Sequence, residues 1–393
     1  MNNISQIKDC YGCGVCATIC PKKIIKIDLN QEGFYEPHID DIDKCINCGL
    51  CLDVCAYSHE DLAPKKEEIH SYAAWSNETA VRRKCSSGGA GFEIGRTLLG
   101  KGYKVCGVKY NAEKQRAEHF IANTIEELIQ TAGSKYIQSY TVDGFKAISR
   151  KEKYLVTGTP CQIDSFRRYI QKLHIEDNFV LLDFYCHGVP SMLVWQKYIN
   201  DVEKVIGPIT YASWRNKFTG WHDSWAMAMD GEAKGEKVNW HDSYNMLIRE
   251  KKTYYNSRLS QGDLFYAFFL GNMCLGKACY KNCKYKYNHS SADIRIGDLW
   301  GPTYQDNEDG VSAAIAFTLK GNEVLKQSNC KLVEHSFETV AEGQIQRRIS
   351  LPHLRDKVMQ WLQTDLPLNV IYKKYRFRQL PVRILNKLKR LRK

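Results

Sequence analysis

The sequence predicts a mixed α+β / α/β chain in which a small cysteine-rich module precedes a larger mixed α/β domain. Three observations predict this. Two similar segments, Asp9–Pro21 and Lys44–Ala56, place eight cysteines within the first 60 residues. After residue 71, short apolar runs alternate with helical ones, the pattern of strands and helices layered on one another. Between the two regions, Asp61–Glu68 (DLAPKKEE) is polar and carries a proline, as a linker does. A chain of 393 residues exceeds one compact domain, and 44% hydrophobic residues suffice for more than one core. The expected units are 1–60, the cysteine module; 61–70, a linker; 71–205 and 206–350, the two parts of the α/β domain; and 351–393, a helical basic tail.

In the module the spacings are Cys10-x2-Cys13-x2-Cys16-x3-Cys20-Pro21 and Cys45-x2-Cys48-x2-Cys51-x3-Cys55, with a hairpin-like stretch around Gly33 between them. Three closely spaced thiolates wrap one cubane and the fourth, a turn further on, reaches the other cluster. The duplication thus reads as a bacterial-type 2[4Fe-4S] ferredoxin module. Cys10, Cys13, Cys16 and Cys55 are expected to hold one cluster, and Cys20, Cys45, Cys48 and Cys51 the other. Ala56 replaces the usual proline but leaves every ligand in place. Gly12, Gly14 and Gly49 suit tight turns that aim N–H groups at sulfur. Structural zinc also uses C-x2-C pairs, and eight cysteines in a duplicated register weigh against it.

Sixteen cysteines without an export signal point to metal or redox work in a reducing compartment, not to a disulfide framework. The expected location is therefore the cytoplasm, with a peripheral place at the inner face of the membrane left open; no apolar run reaches about 18 residues, so no spanning helix is expected.

In the α/β domain, Tyr103–Tyr110, Lys153–Thr157 and Phe179–Tyr185 read as strands, and Ile163–Leu173 as a helix. Cys161 and Cys186 follow two of these strands, where open α/β sheets place functional loops. Gly207–Gly301 is rich in aromatic and basic residues and is expected to cover a site without a core of its own. It contains Cys274-x4-Cys279-x3-Cys283, a thiol group compatible with zinc, with a cluster short of one ligand, or with free thiols. Cys85, Cys106 and Cys330 read as packing residues.

Ser86-Ser87-Gly88-Gly89, Gly133-Ser134-Lys135-Tyr136, GTPCQ (158–162), CHGVPS (186–191), WRNKFTGW (214–221) and ADIRIGDLWG (292–301) together resemble the coenzyme F420 hydrogenase/dehydrogenase beta-subunit family, in a version with an N-terminal ferredoxin module. The likeness runs from about Cys10 to Gly301. It implies an iron–sulfur flavoprotein with FAD and a third 4Fe-4S cluster. Carried onto this sequence, it assigns that cluster to Cys161, Cys274, Cys279 and Cys283, with Cys186 as the substitute fourth ligand. The larger domain is then a mixed α/β flavin-binding domain, although no G-x-G-x-x-G fingerprint is present. Ser86, Ser87, Gly88 and Gly89, opening a helix, are candidates for cradling a pyrophosphate, with Lys135 to neutralise it; an ordinary N-cap and turn is the competing reading. His187, Arg215, Lys217, Trp221 and His222 are candidate neighbours of the isoalloxazine or of its acceptor.

The net charge of +12 is concentrated in Tyr372–Lys393, whose ten Lys/Arg and no Asp/Glu leave +2 for the rest. Ile384, Leu385, Leu388 and Leu391 share one helical face there, suiting an anionic membrane surface or an acidic protein. A solvated terminus competes with that reading, and nucleic acid ranks lower because no binding motif accompanies the charge. The expected function is an iron–sulfur flavin-dependent oxidoreductase passing electrons between a ferredoxin-like carrier and a small-molecule acceptor. The resemblance extends to relatives in surface-polysaccharide synthesis. The alternatives are an electron-transfer subunit without a substrate and an F420-reducing or F420-oxidising subunit.

Overall fold

The computed structural model describes residues 2–231 and 254–391. In the cysteine module, β1 (Ile25–Leu29) and β2 (Tyr35–Ile39) form an antiparallel hairpin turned at Gly33, whose φ is 75°. Helices α1 (Val15–Ile19) and α2 (Leu50–Asp53) flank it as the two halves of the duplication. Each starts after a left-handed glycine, Gly14 (φ 71°) or Gly49 (φ 76°), a conformation that costs a residue without Cβ little.

The α/β domain contributes β3 (His70–Ser76), α3 (Thr79–Lys84), α4 (Ala90–Gly100), β4 (Lys104–Asn111), β5 (Arg116–Ala122), α5 (Ile125–Ile129), β6 (Ser139–Tyr140), α6 (Val142–Lys146), β7 (Tyr154–Thr157), α7 (Pro160–Lys172), β8 (Phe179–Phe184) and α8 (Met192–Ile206). There follow β9 (Ile209–Ser213), β10 (Ala226–Gly231), β11 (Tyr254–Arg258), β12 (Ile294–Asp298), β13 (Ser312–Ala316) and β14 (Cys330–Glu334). Among the described residues, the main sheet has nine strands in the order β14-β3-β13-β12-β8-β7-β4-β5-β6. The run β12-β8-β7-β4 is parallel, and β3 points the same way because both β3 and β12 are antiparallel to β13. The carboxyl ends of β3, β12, β8, β7 and β4 therefore share one edge. Helix α7 starts three residues before the expected Ile163, because Thr159 and Gln162 form a reciprocal capping box around Pro160.

The two parts of the α/β domain, 71–205 and 206–350, share one sheet: β12 and β13 insert between β8 and β3. The region after Gly207 packs into a core that it shares with α8: β9, β10 and the helix Leu264–Leu270 set Trp214, Met227 and Phe265 against Trp195. The start of the tail joins that core through Val358, Met359, Leu368 and Ile371, while Phe377 is 75% exposed. Arg355 is fully buried and pairs with Glu32 at 2.7 Å, tying this segment to the hairpin turn. The helix Leu368–Leu391 continues outward; the side chains of the Ile384–Leu391 pattern lie outside the described residues. No helix among the described residues is long and apolar enough to cross a membrane.

The expected linker is a strap fixed to α7. Ala63 N donates to Asp164 Oδ1 at 2.7 Å, and the buried Lys65 ammonium donates to Ser290 O. The module is bonded to the domain as well: Gln138 accepts from Tyr35 N (2.9 Å) and donates to Tyr11 O (3.2 Å), while Thr141 Oγ1 donates to Cys13 O (2.8 Å).

Candidate cluster relay and acceptor site

Two cavities in the module are each lined by four thiols. Cys10, Cys13, Cys16 and Cys55 line one with Tyr11, Pro37 and Tyr57. Cys20, Cys45, Cys48 and Cys51 line the other with Asn3, Ile39 and Ile46. Each set draws three cysteines from one repeat and one from the other. N–H groups reach sulfur in both: Gly12 N donates to Cys10 Sγ (3.3 Å), and Asn3 Nδ2 to Cys45 Sγ (3.5 Å). Burial, with neighbouring thiols adding to it, raises the Cys10 thiol and brings Cys13 to about 11. Four thiolates packed this way repel one another unless a cationic core sits among them, which is what iron supplies.

The two cavities differ in exposure. Cys48 is exposed, beside Ile46 (59%) and Ile42 (43%). Cys13, Cys16 and Cys55 are buried, and Cys13 Sγ lies 3.2 Å from the Ser165 hydroxyl of α7. The same hydroxyl accepts from Ala56 N at 3.0 Å, so one side chain fixes both repeats to the domain.

A third thiol group lies behind that contact. Cys161 is in the first turn of α7, Cys186 follows β8, and Cys279 and Cys283 belong to the helix Lys277–Lys281 and the loop after it. Burial raises Cys161, Cys186 and Cys279, the last to about 12, and neighbouring thiols contribute: Cys186 and Cys279 act on Cys161, Cys186 and Cys283 on Cys279, and Cys283 on Cys186. Gly188 (φ 145°) lets the Cys186 loop lie on this helix; an added Cβ would meet Leu275 Cδ1 at 2.8 Å and Cys279 Cβ at 3.6 Å.

Cys274 has different surroundings. It is fully buried in the apolar core, its sulfur 3.9 Å from Phe268 O, and its short extended stretch is bonded to the Val189–Ser191 loop through Ser191 N→Cys274 O (2.9 Å) and Gly276 N→Val189 O (3.0 Å). Among the described residues, no three His, Cys, Asp or Glu side chains are grouped to hold a single metal ion. A cubane spreads its four thiolates around a much larger core than one zinc ion, so this bears on zinc more than on a cluster.

Tyr11 forms the wall between the first and third groups. It lines the first cavity, its hydroxyl donates to Asn282 O at 2.6 Å, and its phenol is raised by burial and then by Cys161 and Cys283. Cys13 also acts on Cys161.

Further along the carboxyl edge, Asp298 at the end of β12 organises most of the remaining candidates. Arg215 reaches its two oxygens at 2.9 and 3.2 Å, and Trp221 Nε1 donates to it at 2.8 Å. Burial pulls the Arg215 guanidinium down, and Asp298 more than offsets this, leaving it held well above its ordinary value. Arg215 also donates to Tyr136 Oη (3.2 Å) and Ser86 O (3.2 Å). Trp221 stacks on Trp300 with centroids 4.7 Å apart.

The 86–89 loop uses its polar groups within the fold. Ser86 Oγ accepts from Ser134 N (2.9 Å), Ser87 Oγ donates to Val311 O (2.8 Å), and a Cβ on Gly88 would collide with Ala74 O and Ser312 N. Gly89 (φ 90°) is the N-cap of α4. The buried Lys135 ammonium donates to the carbonyls of Gln130, Thr131, Ala132 and Gly133 at 3.0–3.2 Å, closing the end of α5, and burial lowers it to about 7. Lys217, lowered to about 8 by burial, donates to Arg82 O (2.6 Å), Ser87 O (2.5 Å) and Asp309 O (2.6 Å).

His187 lies nearer the third thiol group. It bonds Asn272 Oδ1 (2.7 Å), and Lys286 donates to the carbonyls of Cys186 and His187. His222 is at the rim, 3.0 Å from Glu308 Oε1. Sequence reasoning missed Tyr11, Ser165, Asp298 and Tyr185. Asp298 and Tyr136 lay inside motifs already singled out. Tyr185, between β8 and Cys186, has a buried hydroxyl without a hydrogen-bond partner among the described residues.

Comparison with known proteins agrees with the motifs. Residues 9–59 match the 4Fe-4S dicluster domain, 71–145 the N-terminal part of the coenzyme F420 hydrogenase/dehydrogenase beta subunit, and 151–338 its C-terminal part. No curated protein sequence matches the chain. Among solved structures, one from a xenon derivatization of the F420-reducing [NiFe] hydrogenase complex of Methanosarcina barkeri resembles it with a TM-score of 0.43 and 16% identity, covering 81% of this chain and 96% of that one. With its 4Fe-4S dicluster domain, the chain is an iron–sulfur electron-transfer protein, and it belongs to the coenzyme F420 hydrogenase/dehydrogenase beta-subunit family.

Proposed function

We propose that the chain is an oxidoreductase that relays single electrons through three [4Fe-4S] clusters to an FAD serving a two-electron acceptor. In this reading Cys20, Cys45, Cys48 and Cys51 hold the outer cluster, Cys10, Cys13, Cys16 and Cys55 the middle one, and Cys161, Cys186, Cys279 and Cys283 the inner one. The observation that carries it is the single file of thiol groups from the exposed Cys48, through the Cys13–Ser165 contact and Tyr11, to Cys186 at the sheet edge. When bound, the clusters supply one-electron steps and the flavin couples them to a two-electron reaction.

The chain's own residues position and insulate that path. Ser165 hydrogen-bonds the sulfur of Cys13 and so favours its negatively charged state. Tyr11, with Tyr57 and Tyr285 edge-on at 5.2 and 5.7 Å, keeps water out between the middle and inner groups. The buried hydroxyl of Tyr185 and the Arg215–Asp298 pair beside the Trp221–Trp300 stack offer a flavin ring a hydrogen bond, a fixed cation and an apolar wall.

The face around Cys48, with Ile42 and Ile46, is where a ferredoxin-like carrier would dock. Phe377 and Leu380 (47% exposed), beside Arg376 and Arg378, support peripheral contact of the tail with an anionic membrane or an acidic protein, a setting compatible with surface-polysaccharide synthesis. Coenzyme F420 stays one candidate among the acceptors. Anaerobic purification with iron, sulfide, zinc and flavin quantitation tests the reading. About twelve irons and one FAD per chain support it; about eight irons without flavin would make the chain a two-cluster carrier.

A further inference from the structure

Lys286 lies just after Cys283 in the chain and is buried, 9% exposed, with its ammonium donating to the carbonyls of Cys186 and His187 (3.1 Å to the latter). No carboxylate pairs with it among the described residues. A buried cation without a counter-charge is costly, and four thiolates around a cubane, roughly −2 in total, are the counter-charge this one lacks. We propose that Lys286 sets the potential of the inner cluster above that of the middle one, so that electrons run inward from the Cys10–Cys55 group and come to rest beside Cys186. The inference rests on the three-cluster reading above.

The position of Lys286 is fixed by the fold. Arg295, fully buried, donates to the carbonyls of Tyr285 (3.2 Å), Tyr287 (2.8 Å) and His289 (3.0 Å), holding the chain on both sides of Lys286. Tyr287 takes a left-handed φ of 56°, an unfavourable conformation for an aromatic residue that the bond to its carbonyl helps to hold. The Arg295 guanidinium is itself matched by Asp183 through two 2.7 Å hydrogen bonds. Lys286 is therefore the uncompensated charge at the inner group.

The middle group has the opposite balance. Asp9, beside Cys10, pairs with Lys277 at 3.2 Å, and Asp164, 3.7 Å from both Lys284 and Arg168, shares those cations with Asp61. That leaves Glu36, which accepts from Asp9 N at 2.7 Å and pairs with no cation among the described residues. An uncompensated carboxylate beside one group and an uncompensated ammonium beside the other favour the electron on the inner one. In the transfer one electron leaves the middle cluster and reaches the inner one, with no bond or proton moved, and the charge beside Lys286 goes from roughly −2 to −3. Because Lys286 is buried, salt screens that change little.

The test is a redox titration of anaerobically purified, cluster-loaded protein followed by electron paramagnetic resonance, comparing wild type with Lys286→Met and Lys286→Arg. The inner signal is the one missing from Cys186→Ala protein, and the middle signal the one missing from Cys10→Ala protein. In wild type the inner cluster is expected to be reduced before the middle one. In Lys286→Met its reduction should become roughly tenfold or more less favourable, about 59 mV for one electron, with the other two clusters within about twofold and the charge-keeping Lys286→Arg close to wild type. An unmoved inner potential in Lys286→Met, or an equal shift of all three clusters, would overturn the proposal. So would a wild type with about twelve irons that reduces its middle cluster first. If Lys286→Met lowers iron content, Lys286→Gln is used and the same comparison decides. About eight irons and no inner signal in wild type would instead sink the three-cluster reading itself.

Discussion

Replacing Cys186 and Cys274 separately by alanine tests the inner thiol group most sharply. The two cysteines follow one another across a single loop contact, Ser191 N to Cys274 O at 2.9 Å, yet their surroundings differ. Cys186 faces Cys161, Cys279 and Cys283, so Cys186→Ala removes one ligand in four and is expected to cost the whole inner cluster. Iron should fall by about four per chain, from about twelve to about eight, with a matching loss of sulfide. Cys274 is fully buried against Phe268 and Leu275, so Cys274→Ala leaves a small apolar void and costs about 1 kcal/mol of stability. Its iron should not change. The assay is iron and sulfide quantitation on anaerobic protein, with the electron paramagnetic resonance signal after dithionite reduction and a thermal melt of each variant. A Cys274→Ala protein lacking four irons beside a Cys186→Ala protein that keeps them would refute the grouping.

Three further outcomes are expected. Ser165→Ala removes the hydrogen bond to Cys13 sulfur and orphans Ala56 N–H; the middle cluster's potential should become more negative by roughly 20–60 mV, the equivalent of ~0.5–1.5 kcal/mol, in a redox titration. Asp183 and Arg295 are both fully buried and joined by two 2.7 Å hydrogen bonds, so Asp183→Asn should lower unfolding stability by about 3–5 kcal/mol in a denaturant titration. His119, 2% exposed, is lowered by burial to about 4 from 6.5. The unfolded chain therefore binds the extra proton first on acidification, and stability declines as pH falls from 6.5 toward 4, by about 3 kcal/mol in total. A His119→Gln protein should lack that part of the acid-side loss, and an unchanged slope would show that the shift is absent.

Much of the module was legible because its ligands are close in sequence. A C-x2-C-x2-C spacing leaves a short backbone few ways to present three sulfurs, and the left-handed glycines Gly12, Gly14 and Gly49 mark where it turns. The strands near Cys106, Val156 and Leu181 were legible because apolar runs of that length bury well in a parallel sheet. The alternation could not reveal that β12 and β13 complete the sheet between β8 and β3, since strand order is decided by packing between segments more than 100 residues apart. The packing of the aromatic segment after Gly207 was hidden for the same reason: Trp214 and Phe265 meet their partner only once Trp195 of α8 is placed between them.

Sequence by itself determined the class, the duplicated cysteine module, the division of its thiols into two sets of four, and the motifs that identify the family. These depend on local spacing, which the chain's covalent geometry fixes before folding. Tertiary structure alone decided that Cys186 is a neighbour of Cys279 and Cys161 while Cys274 is buried in the apolar core, that Lys135 caps a helix, and that Asp298 gathers Arg215 and Trp221. Those groups come from segments remote in sequence. Which side chains face one another across a sheet edge depends on strand order, on the burial of each loop and on which polar groups find partners first.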